Sequence, residues 1–108
     1  MREVAQNESV RVLLADDGTI GVIGEIDLAG GPLLDQVIAA REGVGEDVVI
    51  EMSAVTFVDS SGLRSLIAAS QRAAAGGRRV RLVAPSAVLV RLLDITATTS
   101  MFDIEGAS

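Results

Sequence analysis

The stretch that decides the fold is Val48-Val-Ile-Glu-Met-Ser-Ala-Val-Thr-Phe-Val-Asp-Ser-Ser-Gly-Leu-Arg-Ser-Leu-Ile67. An apolar strand over 47–52 leads through a short loop to Asp59-Ser60-Ser61-Gly62, and a helix follows Gly62. A serine is therefore held at a helix N-terminus, where unpaired backbone N–H groups and the positive end of the helix dipole favour a phosphate. Ser60 is the candidate phosphoacceptor.

The strand over 47–52 is expected at the centre of the sheet. Its apolar run shows no alternation, which is typical of a strand covered on both faces. The helix after it ends at Gly76-Gly77, and a further strand covers 79–84. Since a strand, a helix and a strand in sequence form a right-handed crossover, we expect these two strands to be parallel.

The rest of the chain supplies an N-terminal hairpin, two more helices and a last strand. Strands over 10–14 and 20–24 flank the turn Asp17-Gly18. The remaining elements are a helix that Gly30-Gly31-Pro32 opens and Gly43 ends, a helix after Pro85-Ser86, and a short strand over 101–104. The sequence predicts one α/β domain over 1–108, with helices on a mixed sheet of about four to five strands and frayed ends at 1–8 and 105–108.

The composition excludes most catalytic machinery. The chain has no His, Cys, Tyr or Trp, and all nine basic residues are arginine. A Ser-His-Asp triad, a Ser-Lys dyad, a Schiff-base lysine and a thiolate nucleophile are therefore impossible within this chain alone. A metal could be held only by carboxylates and backbone oxygens. We expect a protein that is not an enzyme and that has no catalytic residues, metal site or cofactor.

The charge pattern argues against a nucleic-acid partner. The formal net charge is −6, and the only basic cluster is Arg78, Arg79 and Arg81. We interpret this cluster as a solvated strand end balanced by nearby acids, because binding phosphates needs a concentrated basic surface. The chain also has no apolar run long enough to span a membrane and no apolar signal-peptide core near its start. We expect a cytoplasmic protein without direct membrane insertion.

Three blocks of this sequence resemble the STAS domain, and in particular the bacterial anti-sigma factor antagonists. They are Gly24-Glu25-Ile26-Asp27-Leu28, Asp59-Ser60-Ser61-Gly62-Leu63 and Arg91-Leu-Leu-Asp94-Ile95-Thr96. The blocks occur in the family's order and are spread over nearly the whole chain. One departure is visible, because the family usually continues with Gly-Leu where this chain has Ala97-Thr98. The path into the last strand is therefore expected to differ.

The resemblance implies a STAS-type fold and a regulatory binding protein. Such a protein would bind an anti-sigma factor and thereby release a sigma factor. The partner implied is a serine kinase of the histidine-kinase-like ATPase type, which would switch the protein off by phosphorylating Ser60 with ATP. The resemblance favours Ser60 over Ser61 as the phosphoacceptor, and a serine phosphatase would reverse the modification.

The resemblance also implies a partner-binding surface, although each of its residues has a structural interpretation as well. Asp59 to Gly62 is a favourable helix cap, Leu63 belongs to the apolar stripe of the helix, and Asp27 suits a turn in which the carboxylate bonds its own backbone. Asp94 lies near the end of the third helix, where the dipole disfavours a carboxylate, which indicates a partner or a solvated side chain. The surface implied by the resemblance consists of Asp27, Asp59, Ser60, Ser61, Gly62, Leu63 and Arg64.

An alternative function is a STAS interaction or scaffold module. Such a module would serve in a signalling assembly or as the accessory subunit of a membrane transporter. A receiver-type domain phosphorylated on Asp59 is a third class. That chemistry ordinarily uses a lysine beside the phosphoryl group, and the chain has none. We therefore set the receiver class aside.

Overall fold

The computed structural model describes residues 1–42 and 46–106, which form a six-stranded mixed sheet with three α-helices. The strands lie in the sheet in chain order, antiparallel from the first to the third and parallel from the third to the sixth. The predicted α/β class is confirmed, with six strands instead of four to five. The elements are β1 Arg2–Gln6, β2 Val10–Leu14, β3 Ile20–Ile26, α1 Gly30–Glu42, β4 Val48–Val58, α2 Ser60–Ala75, β5 Val80–Val83, α3 Ala87–Ile95 and β6 Asp103–Glu105.

Strand β1 occupies residues that the sequence predicts to be frayed. It pairs antiparallel with β2, and Val4 is bulged out of the ladder. Four of its five residues are exposed, so no apolar pattern marks it as a strand. The prediction of a frayed segment over 1–8 is wrong for 2–6, because backbone pairing to β2 holds this strand in place.

The C-terminal end also differs from the prediction. Thr99–Met101 forms a 3-10 turn, and the last strand follows it instead of covering 101–104. Glu105, predicted to begin a frayed tail over 105–108, instead ends β6 and pairs with Val83 of β5. Residues 107–108 lie outside the described part of the chain.

One face of the sheet is buried and the other is partly open. In β4, Val48, Ile50 and Met52 are buried, whereas Val49 and Glu51 between them are only half-buried. Strand β4 lies between β3 and β5 near the sheet centre, as predicted. The expectation that both of its faces are covered is wrong, because the buried residues of the strands and helices form one core on a single side of the sheet.

Helix α2 begins earlier than the sequence predicts. Its first residue is Ser60, so the strand-to-helix loop consists of Asp59 alone. It ends before Gly76-Gly77 as predicted, where Gly77 has a φ of 73°. Helices α1 and α2 pack against each other, and the predicted end of α1 at Gly43 lies outside the described residues. In the described ranges, no helix combines the length and apolar character that a membrane span requires.

Two arginines of the cluster are paired with acids of the last strand. Arg79 contacts Asp103 at 2.9 Å and Arg81 contacts Glu105 at 2.5 Å. The Arg78 guanidinium donates a hydrogen bond to the Glu42 carbonyl oxygen. The interpretation of a strand end balanced by nearby acids is confirmed. Exposed ion pairs of this kind contribute little to stability, because solvent screens them.

The turn after α3, where the sequence departs from the family pattern, is closed by a backbone hydrogen bond and contains a left-handed alanine. The Thr98 N–H donates to the Leu93 carbonyl oxygen at 2.9 Å, and Ala97 has a φ of 57°. Glycine adopts this left-handed conformation without strain, whereas alanine does so at a cost of about 1–2 kcal/mol. Ala97 adopts the left-handed conformation and β6 pairs with β5, and a path into the last strand that differs from the family's stays a prediction.

We expect Ala97→Gly to stabilise the fold. Removal of the Cβ relieves the left-handed strain, partly offset by the greater entropy of a glycine in the unfolded chain, so the free energy of unfolding should rise by about 0.5–1 kcal/mol. Urea denaturation monitored by circular dichroism measures this change. The matched control is Ala74→Gly at an exposed site within α2. The control should lower the free energy of unfolding by about 1 kcal/mol. Equal losses in both variants would contradict the strain at Ala97.

Candidate functional site

Asp59 caps the first turn of α2. Its backbone is extended, with φ −99°, and its Oδ1 accepts a hydrogen bond from the Gly62 N–H at 2.9 Å. Its carbonyl oxygen accepts the Leu63 N–H, also at 2.9 Å. The side-chain bond satisfies one of the amide groups that a helix start leaves unpaired, and the bond from Leu63 is the first backbone bond of the helix itself. The capping interpretation of Asp59 is therefore observed directly.

Ser60 is the exposed residue of this turn. It is the first residue of α2, whereas Ser61 is half-buried and its carbonyl oxygen accepts the Ser65 hydroxyl at 3.4 Å. Among the described residues, the Ser60 hydroxyl and the backbone N–H groups of Ser60 and Ser61 have no hydrogen-bond partner. An exposed hydroxyl without a neighbouring base is suited to be modified by another protein, because it lacks the activation that a nucleophile needs.

Gly62 is required by the packing of α2 against strand β3. A Cβ at this position would collide with the Ile26 carbonyl oxygen, which also accepts the Asp59 N–H at 3.3 Å. Gly62 is buried and faces the interior. Leu63 is only 8% exposed and lies in the core, so its side chain offers a partner little surface.

Asp27 organises the loop after β3. Its Oδ1 accepts hydrogen bonds from the Gly30 N–H at 2.7 Å and the Ala29 N–H at 3.1 Å, and its Oδ2 accepts the Ser9 hydroxyl at 3.0 Å. The bond from Gly30, aided by those from Ser9 and Ala29, lowers the pKa of the Asp27 carboxyl below its ordinary value of 3.8. The turn interpretation is observed, and a partner contact by Asp27 stays a prediction.

A groove of about 310 Å³ between α1 and α2 adjoins this turn. Arg64 on its rim is exposed and forms no ion pair within the described part of the chain. Leu28 is 76% exposed, and sequence reasoning missed it. The sequence does offer a signal for this exposure, because Leu28 is a large apolar residue in the loop between Asp27 and the glycines that open α1. The groove is lined by Leu28, Pro32, Asp35, Ser61, Arg64, Ser65 and Ala68.

The fold brings two of the three sequence blocks together. The Asp27 loop follows β3, and the Ser60 turn follows the parallel neighbour β4. Asp94 lies on α3, which packs chiefly against β4. In the residues that the structure covers, no cluster of carboxylates is arranged to hold a metal ion. The arrangement therefore presents a surface built around one exposed hydroxyl.

Comparison with known proteins identifies relatives of the whole chain. A model of the STAS domain family matches residues 3–107. The anti-sigma-B factor antagonist of Bacillus subtilis (strain 168) is 29% identical over 106 residues, covering 98% of this chain and 91% of the relative. The chain is thus similar to that protein along nearly the full length of both.

Solved structures agree with this similarity. The crystal structure of an anti-sigma factor antagonist from Mycobacterium paratuberculosis superposes with a TM-score of 0.78 at 27% identity, covering 94% of this chain and 90% of that one. The phosphorylated form of the Bacillus cell fate determinant SpoIIAA gives a TM-score of 0.65 at 16% identity, covering 89% and 90% of the two chains. At that identity the second likeness concerns the fold alone.

Gly62→Ala should destabilise the protein through a steric clash alone, because it adds only a methyl group. The new Cβ meets a backbone carbonyl that cannot rotate away, so we expect the free energy of unfolding to fall by about 1–3 kcal/mol. Urea denaturation is the measurement. The control is Gly76→Ala, whose Cβ would meet only the far end of the long Arg78 side chain, at 2.9 Å. Equal stability of Gly62→Ala and wild type would contradict the close approach of α2 to β3.

Proposed function

Since the chain belongs to the STAS domain family, we propose that it is an anti-sigma factor antagonist. In this function it binds an anti-sigma factor and thereby frees a sigma factor. The same partner is a serine kinase of the histidine-kinase-like ATPase type, and it ends the interaction by phosphorylating Ser60. The chain is the substrate of this kinase, and a serine phosphatase returns it to the binding form.

The observation that carries the proposal is the match over 98% of the chain to an anti-sigma-B factor antagonist. The site is consistent with it. Ser60 is exposed at the first position of α2, and the two N–H groups beside it have no partner among the described residues. A phosphate at this position would meet the positive end of the helix dipole.

The local geometry favours Ser60 over Ser61 as the phosphoacceptor. A kinase must enclose the hydroxyl that it modifies. Of the two serines, only Ser60 is exposed. Ser61 is half-buried along the groove between α1 and α2. A phosphate there would crowd the packed helices, whereas a phosphate on Ser60 extends into solvent.

Phosphorylation acts at the partner interface and leaves the fold in place. The Ser60 hydroxyl makes no bond to any described residue, so its modification removes no internal contact. The added charge of about −1.5 to −2 must instead be desolvated when the partner binds again. This cost falls on the complex, because the kinase contacts the same residue that it phosphorylates.

We expect Ser60 to accept one phosphate from the cognate anti-sigma factor in the presence of ATP. Intact-mass spectrometry measures the modification, and fragmentation locates it. Ser60→Ala should abolish it, and Ser61→Ala, the matched control, should leave it unchanged. Phosphorylation of Ser60→Ala together with its loss in Ser61→Ala would assign the modification to the other serine.

The affinity for the anti-sigma factor should fall when Ser60 carries a negative charge. If the charge makes the binding free energy less favourable by about 3 to 4 kcal/mol, binding weakens by several hundredfold. Titration calorimetry should show tight binding for wild type and Ser60→Ala, and much weaker binding for Ser60→Asp and the phosphoprotein. Equal melting temperatures across the series would show that folding is intact.

The alternative scaffold function gives a different result in the same experiment. A module that uses another surface would bind its partner equally in all four forms. Equal affinities would therefore overturn the antagonist proposal. Tight binding that is lost only in the two charged forms supports it.

A further inference from the structure

Helix α3 carries a second apolar stripe that the core covers only in part, through Leu92. Leu89 and Leu93 are fully buried beneath the helix. On the solvent side, Val88 is 43% exposed and Ile95 is 69% exposed, with half-buried Leu92 between them. These three residues have the spacing i, i+4 and i+7, so they form one continuous row along the helix. Large apolar side chains aligned in this way indicate a contact surface.

Two exposed charges of opposite sign flank this stripe. Arg91 and Asp94 both point to solvent, and neither forms an ion pair with any residue in 1–42 or 46–106. At 100° per residue they lie on the same flank of the row. Asp94 is in the last turn of α3, where the helix dipole disfavours a carboxylate. A cation from outside the chain would relieve this unfavourable placement.

We propose that α3 is a self-association surface through which two copies of this chain pair with their helices antiparallel. A two-fold axis midway between Val88 and Ile95 places Val88 of each copy against Ile95 of the other copy. Leu92 then faces the centre of the contact. The same axis places the Arg91 and Asp94 sides of the two helices next to each other. Measured along the helix direction, Arg91 of one copy is then about 3 Å from Asp94 of the second copy. Both charge pairs then form at once, which is the pattern of a self-complementary interface.

The dimer should be weak. One row of three apolar residues per copy covers much less than the roughly 1,200–2,000 Å² of a stable interface. The net charge of −6 on each copy also opposes association. We therefore expect a dissociation constant between about 10 µM and 1 mM. Among the described elements α3 packs chiefly against β4, and none of its residues lines the groove beside the Ser60 turn, so this proposal stands apart from the proposed function.

Sedimentation velocity and amide NMR shifts of the full chain, at about 0.15 M salt to screen the net charge, test the pairing. Between about 20 µM and 1 mM, the sedimentation coefficient should rise and the shifting amides should cluster on α3. Ile95→Gln should abolish both changes. Arg91→Asp and Asp94→Arg should each raise the dissociation constant about tenfold, because each places like charges across the axis.

Mixing the two charge variants gives the decisive measurement. In a mixed pair, the Asp94→Arg copy presents arginine at both positions and the Arg91→Asp copy presents aspartate at both, so both contacts become attractive again. The mixture should associate at least as tightly as wild type. The matched control, Arg64→Asp at an exposed position of α2, should leave association unchanged. Circular dichroism melting checks that every variant is folded.

Three results would overturn the proposal. The first is a wild-type protein that stays monomeric at 1 mM. The second is self-association that Ile95→Gln leaves intact, which would place the contact elsewhere. The third is a mixture of the charge variants that associates no better than either variant alone, which would exclude the two-fold pairing and favour a different protein as the occupant of this face.

Discussion

The close approach of α2 to the end of β3 is the constraint on which the site depends. The Ile26 carbonyl oxygen accepts the Asp59 N–H and lies where a side chain on Gly62 would be. Helix α2 can start at Ser60, separated from the end of β4 by a single residue, only because Gly62 has no Cβ to collide with this carbonyl. The contact also fixes the distance between α2 and the loop that Asp27 organises. One glycine therefore sets the position of the exposed serine relative to the neighbouring loop.

The sheet topology explains why the site forms at this edge of the molecule. Strands β3 and β4 are parallel neighbours, so their carboxyl ends meet on the same side. Asp27 follows the first and Asp59 follows the second, and both carboxylates are used to cap helices. The two caps leave the Ser60 hydroxyl without a hydrogen bond to any residue that the structure describes. The rigid part of the site is thus made of carboxylates and backbone, and the Ser60 hydroxyl is exposed to solvent.

Local patterns predicted the features that depend on local sequence. The hairpin, the parallel strands around α2 and the arginines facing acids all follow from turn signals, apolar runs and charge balance. Features that depend on distant contacts were missed. Strand β1 has no apolar pattern and exists through pairing to β2. The reason for Gly62 lies in a carbonyl of another strand, and the burial of Leu63 became clear only once α2 was placed on the core.

Strand β1 has a consequence for how the protein behaves in concentrated solution. Among the described strands it lies at one end of the sheet, and its outer edge has no partner. An open edge is a template for strand addition, the step by which sheets grow into fibrils. The bulge at Val4 interrupts the regular spacing of donors and acceptors, and Arg2 and Glu3 place charges of both signs beside it. An incoming strand meets an irregular, charged ladder, so this edge protects the folded protein against amyloid-like growth while β1 keeps its pairing to β2.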